Sequence, residues 1–117
     1  MDNILDSIKK LLGIDEKYLE FDDEVKMNIN SAFMALNQLG VGPKDVYSIK
    51  TGDEKWDEFV DSEIDLESVK IYVYYKTRLG FDPPNTGYIL EAMERRMEEL
   101  GWRLNVQVET REEVELE

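Results

Sequence analysis

The 117-residue sequence contains no cysteine and no histidine. The first absence excludes a disulfide framework, a thiolate nucleophile and sulfur ligation of a metal. The second removes the commonest general base near neutral pH and the commonest transition-metal ligand. Most hydrolase and metalloenzyme constellations fall with them. Positive charge is also scarce: 14 Lys and Arg stand against 27 Asp and Glu, for a net charge of −13. Phosphate contacts need clustered Lys and Arg, so this balance argues against sequence-specific nucleic-acid binding and against an anionic membrane surface. Long apolar runs are missing as well, and no stretch approaches the roughly 20 apolar residues that cross a bilayer. The first twelve residues carry an apolar stripe interrupted by Asp2, Asp6, Lys9 and Lys10, unlike a secretory signal. The expected place of synthesis is a cytoplasm.

What is present fits one domain. Hydrophobic residues make up 42% of the chain, and a chain of this size buries about 65% of its unfolded surface. Helical spacing dominates. Ile4, Leu5, Ile8, Leu11 and Leu12 predict a short first helix, with Asp2 or Asn3 as cap and Gly13 as stop. Val25, Ile29, Ala32, Phe33, Leu36 and Leu39 form the continuous face of a second, begun by Asp22, Asp23 and Glu24 and ended by residues 40–43. Residues 46–49 read as a short strand or extended loop, residues 51–53 as a turn, and Trp56, Phe59 and Val60 as a helical turn laid on the body.

A further helix is predicted from Asp65 to Leu79, ending before Gly80. It has two apolar faces: Leu66, Val69, Tyr72, Val73 and Leu79 on one, and Ile71, Tyr74, Tyr75 and the Arg78 stem on the other. Such a helix belongs at the centre of a bundle or between its own core and a partner. Residues 81–85 with Pro83 and Pro84 break it. Asn85 or Thr86 caps a last helix, predicted to end at about Leu100, with Leu90, Met93, Met97 and Leu100 inward. After Gly101 the alternation of Trp102, Leu104, Val106 and Val108 with polar residues predicts a strand, to be paired with residues 46–49 or with another molecule. Residues 109–117 hold five Glu and one Arg and predict a disordered, solvated tail behind a single domain of residues 1–108. The expected fold is mainly α: a small bundle of four to five helices with a short β element and a C-terminal strand or arm.

No catalytic, cofactor or metal site emerges. The acids at 22–24 lack the alternating ligands and central Gly of a calcium loop, and a helix start explains them. Serines and threonines have no His partner, and the seven glycines are scattered as stops and turns. The aromatic residues say more, because Tyr72, Tyr74, Tyr75, Phe81 and Tyr88 exceed what a small bundle readily buries, and tyrosine anchors interfaces.

Four segments resemble the small head–tail connector, or head-completion adaptor, proteins of tailed bacteriophages. They are residues 4–14 (ILDSIKKLLGI), 38–43 (QLGVGP), 69–84 (VKIYVYYKTRLGFDPP) and 102–105 (WRLN). Residues 44–62 match least. The resemblance implies a non-enzymatic virion protein without cofactors, assembled in the bacterial host cytoplasm. Its implied partners are other copies of itself in a ring, the portal protein above, and a tail or stopper protein below. On this reading Tyr74, Tyr75, Phe81 and Trp102, with Leu104 and Val106 of the predicted strand, form or brace the subunit interface. Carboxylates facing the lumen would repel passing DNA. The competing readings are an acidic DNA mimic of the anti-restriction or antitoxin type, which needs carboxylates in two phosphate-spaced rows, and a carboxylate enzyme, which needs two buried acids in a pocket.

Overall fold

The computed structural model describes residues 3–59 and 66–116. Four helices account for most of them: α1 (Ile4–Leu12), α2 (Asp22–Gln38), α3 (Leu66–Phe81) and α4 (Gly87–Leu116). A single 3-10 turn, Trp56–Glu58, lies between α2 and α3. The predicted start of the third long helix at Asp65 and the contribution of Val60 to the middle turn fall outside the described residues, as does Asp2 as an alternative cap.

The start of α1 follows from its sequence. The Asn3 carboxamide accepts a hydrogen bond from the Asp6 N–H at 2.7 Å, and Gly13 closes the helix at φ +81. Ile4, Leu5 and Ile8 are buried beneath it. Three acids open α2, and its Val25, Ile29, Ala32, Phe33 and Leu36 are wholly enclosed. α3 is the central element: it packs chiefly on α2, with α4 and α1 also against it. That placement suits a helix apolar on two sides. α3 runs through Gly80 to Phe81, two residues past the expected stop. Gly80 lies against α2, where an added Cβ would come within 2.1 Å of Asn28 Oδ1.

Two expectations are corrected. The predicted C-terminal strand is helix, because α4 continues without a break through residues 101–108. Met93, Leu100, Leu104 and Val108 are all buried and spaced at seven, four and four, so the inward stripe simply continues. The alternation was accidental: Leu104 and Val108 face the core, Val106 is half-buried and Trp102 is exposed. Gly101 is a contact residue and not a stop. A Cβ there would sit 3.2 Å from Leu39 Cδ1 and 3.4 Å from Tyr72 Cε2, so its bareness lets α4 approach. The helical backbone also carries the acidic segment, expected as a disordered tail, as far as Leu116.

The expected β element shrinks similarly. Residues 46–49 form an extended loop whose partner is a side chain: the Asn30 carboxamide donates to Ile49 O (3.0 Å) and accepts from Ile49 N (2.7 Å). This satisfies the backbone as a neighbouring strand would. Among the described residues, β pairing is limited to one antiparallel bridge between Asn3 and Lys55. The loop is held down by rings, with Tyr47, Trp56 and Phe59 at 5.2, 6.4 and 4.6 Å from Phe33.

Candidate interaction surfaces

Most of the chemistry within residues 3–59 holds the chain together. Lys9 is 1% exposed. Its ammonium lies 2.7 Å from Asp22 Oδ1 and donates to the carbonyls of Glu16 (3.1 Å) and Tyr18 (2.7 Å). One cation thus clasps the loop between α1 and α2 and the start of α2. The Trp56 indole is buried and donates to Ser7 Oγ at 2.9 Å. Partial burial pushes the Glu54 carboxyl upward, but hydrogen bonds from the N–H groups of Lys50, Thr51, Gly52 and Glu54 itself outweigh it and hold its pKa at about 2. Burial, then the nearby charges of Glu58, Glu54 and Asp57, push the Tyr47 phenol up to about 12. These groups stabilise a loop. Among the described residues no three His, Cys, Asp or Glu side chains are grouped to hold a metal, and no helix is long and apolar enough to cross a membrane.

The outward surface is more suggestive. A groove of about 470 Å³ runs where α1, α3 and α4 meet. Its apolar lining is Leu11, Ile71, Tyr74 and Tyr75, the last two with rings 5.6 Å apart. Its charged lining is Lys10, Lys70 and Arg96 against Glu67. Helical geometry explains the convergence. Lys70, Ile71 and Tyr74 share the outer side of α3 at i, i+1 and i+4, α1 lays Lys10 and Leu11 alongside, and α4 brings Arg96 from across the corner. Lys70 also lies over the Trp56 ring, 5.8 Å from its centroid. The result is a locally basic, aromatic groove on a protein of net charge −13.

A second groove, of about 380 Å³, is lined by Leu39, Tyr72, Met97, Gly101, Trp102 and Asn105, with Glu98 at its edge. Trp102 is 65% exposed on its rim. Asn105 donates from its carboxamide to Leu39 O at 2.9 Å, satisfying a carbonyl at the end of α2. A third apolar surface gathers Tyr18, Phe21 and Phe81, with successive ring centroids 5.5 and 5.4 Å apart.

The six interface candidates from the sequence therefore do not form one patch. Tyr74 and Tyr75 line the basic groove, Trp102 the second groove, and Phe81 the third surface. Leu104 is 1% exposed and belongs to the chain's own core, and Val106 is half-buried on α4. Sequence reasoning missed Lys9, although Leu5, Lys9 and Leu12 are spaced four and three on one helix and so place the cation on the apolar stripe. It also missed the meeting of Lys10, Lys70 and Arg96, which no local pattern joins.

Comparison with known proteins agrees with the resemblance in the sequence. The family model described as phage connector protein matches residues 4–111. No curated protein and no solved structure matches the chain.

Proposed function

The chain belongs to the phage connector protein family, and from that premise we propose that it is a non-enzymatic spacer which closes into a ring beneath the portal. A connector-type structural role in the phage particle, in association with other head and tail proteins, is what membership carries. The finer reading adds a lumen that extends the DNA channel and a lower face that seats a tail or stopper protein. The observation that carries it is the family match over residues 4–111, nearly the whole chain.

Physical features support the reading. Three unlike apolar surfaces on one small bundle suit contact with different neighbours, and rings arise when unlike patches on successive copies meet and the rotation closes. Exposed Trp102 and the half-buried pair Tyr74–Tyr75 are the residue types that anchor interfaces. The acidic surface suits a conduit, since carboxylates toward the lumen repel phosphate within a Debye length of about 8–10 Å. The DNA-mimic alternative has only net charge in its favour.

The test is electron microscopy of the protein mixed with its cognate portal. Annular density capping the portal is expected. No association at any salt concentration would overturn the reading.

A further inference from the structure

We propose that the groove where the end of α2 meets α3 and α4, around Trp102 and Glu98, receives an arginine side chain from a basic segment of a partner protein. The inference goes beyond the connector reading, because it concerns the chemistry of the partner's side chain and holds for any protein that presents it.

Charge is the first reason. Glu98 is the charged side chain of this groove, and its neighbours in the lining are uncharged. Among the described residues Glu98 enters no ion pair, and the nearby Arg103 is already held by Glu99 at 2.7 Å. An apolar partner seated here would cover the Glu98 carboxylate without a counter-charge, which is costly. An anion would meet that carboxylate directly, on a protein of net charge −13. A cation answers both difficulties, and the overall charge draws it in.

Shape is the second reason, and it selects arginine. Trp102 stands one turn beyond Glu98 on α4 and is 65% exposed. Cα–Cβ bonds tilt toward the N-terminus of a helix, which carries the indole toward the turn that bears Glu98. Gly101 lets α4 approach Leu39 and Tyr72, and with Met97 these give the groove an apolar lining. The Leu39 carbonyl already accepts from Asn105 at 2.9 Å and does not compete for a cation. An apolar lining beside a lone carboxylate and an open indole fits a side chain that is aliphatic along its stem and cationic at its tip. A guanidinium suits that tip better than an ammonium. It is planar and weakly hydrated, and it stacks on an indole while donating two hydrogen bonds to a carboxylate.

The experiment adds acetyl-Ala-Arg-Ala-amide to the 15N-labelled full-length protein and follows its two indole N–H resonances by NMR. Saturable movement of the Trp102 resonance is expected, with that of the buried Trp56 unmoved. The same peptide with citrulline for arginine keeps the shape without the charge. It should bind about threefold more weakly, the scale of a lost exposed ion pair. Glu98→Gln should weaken the arginine peptide by a similar factor. Trp102→Leu keeps apolar cover and removes the ring; followed on the Gly101 amide, it should weaken binding by about fivefold. Glu109→Gln makes the same charge change about 16 Å along α4, beyond the screening length, and should leave binding within about twofold. All three altered positions are exposed, and the citrulline comparison needs no variant.

An unmoved Trp102 resonance, equal binding of the citrulline peptide, or equal weakening by Glu109→Gln and Glu98→Gln would overturn the assignment. So would movement of the Trp102 resonance when the protein alone is concentrated, which would make a second copy the occupant. Saturable binding that needs the guanidinium charge and is weakened by Glu98→Gln supports it. None of these outcomes depends on annular density at the portal, so this inference and the connector reading stand or fall separately.

Discussion

Between Asn3 and Phe59 the chain is pinned by polar side chains that reach for backbone groups. Lys9 clasps two carbonyls, Asn30 pairs both ways with Ile49, and Glu54 gathers the amides of residues 50–52. From Leu66 onward helix meets helix mainly through apolar stripes and the bare backbone of Gly80 and Gly101, with Asn105 as a polar tie to Leu39. A loop-rich region must satisfy many backbone groups individually, whereas a helix satisfies its own and needs only a matching surface. The two halves should therefore fail differently when altered.

The largest effect is expected where the first region buries its bulkiest side chain. Trp56→Ala removes a fully enclosed indole, its bond to Ser7 and a wall of the Phe33 ring cluster. A loss of about 3–5 kcal/mol is expected in denaturant unfolding. Within the second region, Leu104→Ala should cost about 2–5 kcal/mol, as a buried leucine does. Val106→Ala, two residues on and half-buried, should cost less than about 1 kcal/mol. Equal losses at the two positions would contradict the helical register of α4. The smallest effect belongs to Glu54. Its folded pKa of about 2 lies below the ordinary glutamate value of about 4.3. Its contribution is thus present above about pH 4.5 and lost as pH falls toward 2. Glu54→Gln should flatten the acid limb of stability in that window, by less than about 1 kcal/mol because the carboxyl is largely solvated.

The same contrast explains what was legible in the sequence. α1 and α2 were readable to within a residue or two, since Asn3, Gly13 and the acids at 22–24 are local signals at helix ends and the stripes between them are unambiguous. The central position of α3 followed from its two apolar faces. α4 was misread past Gly101 because a glycine that permits close packing looks in sequence like one that ends a helix. Leu104 and Val108 also fit both a period of two and a spacing of four. The Asn30–Ile49 pairing was invisible, since a side chain took the place of the strand that the pattern demanded. The basic groove was beyond reach for another reason: Lys10 and Arg96 meet only through tertiary packing, 86 residues apart in the chain.

The unbroken length of α4 also bears on when the molecule becomes itself. Lys9 meets the Tyr18 carbonyl across nine residues, while Asn105 meets that of Leu39 across 66. Closing short loops is fast and closing long ones is slow. On a chain growing from the ribosome, the α1 clasp can therefore set early, while α2 and α3 hold an open apolar flank until Leu104 and Val108 emerge. The core is thus sealed only once α4, which follows α2 and α3 in the chain, has been made. A fragment ending near Gly101 would leave that flank exposed to other unfinished copies.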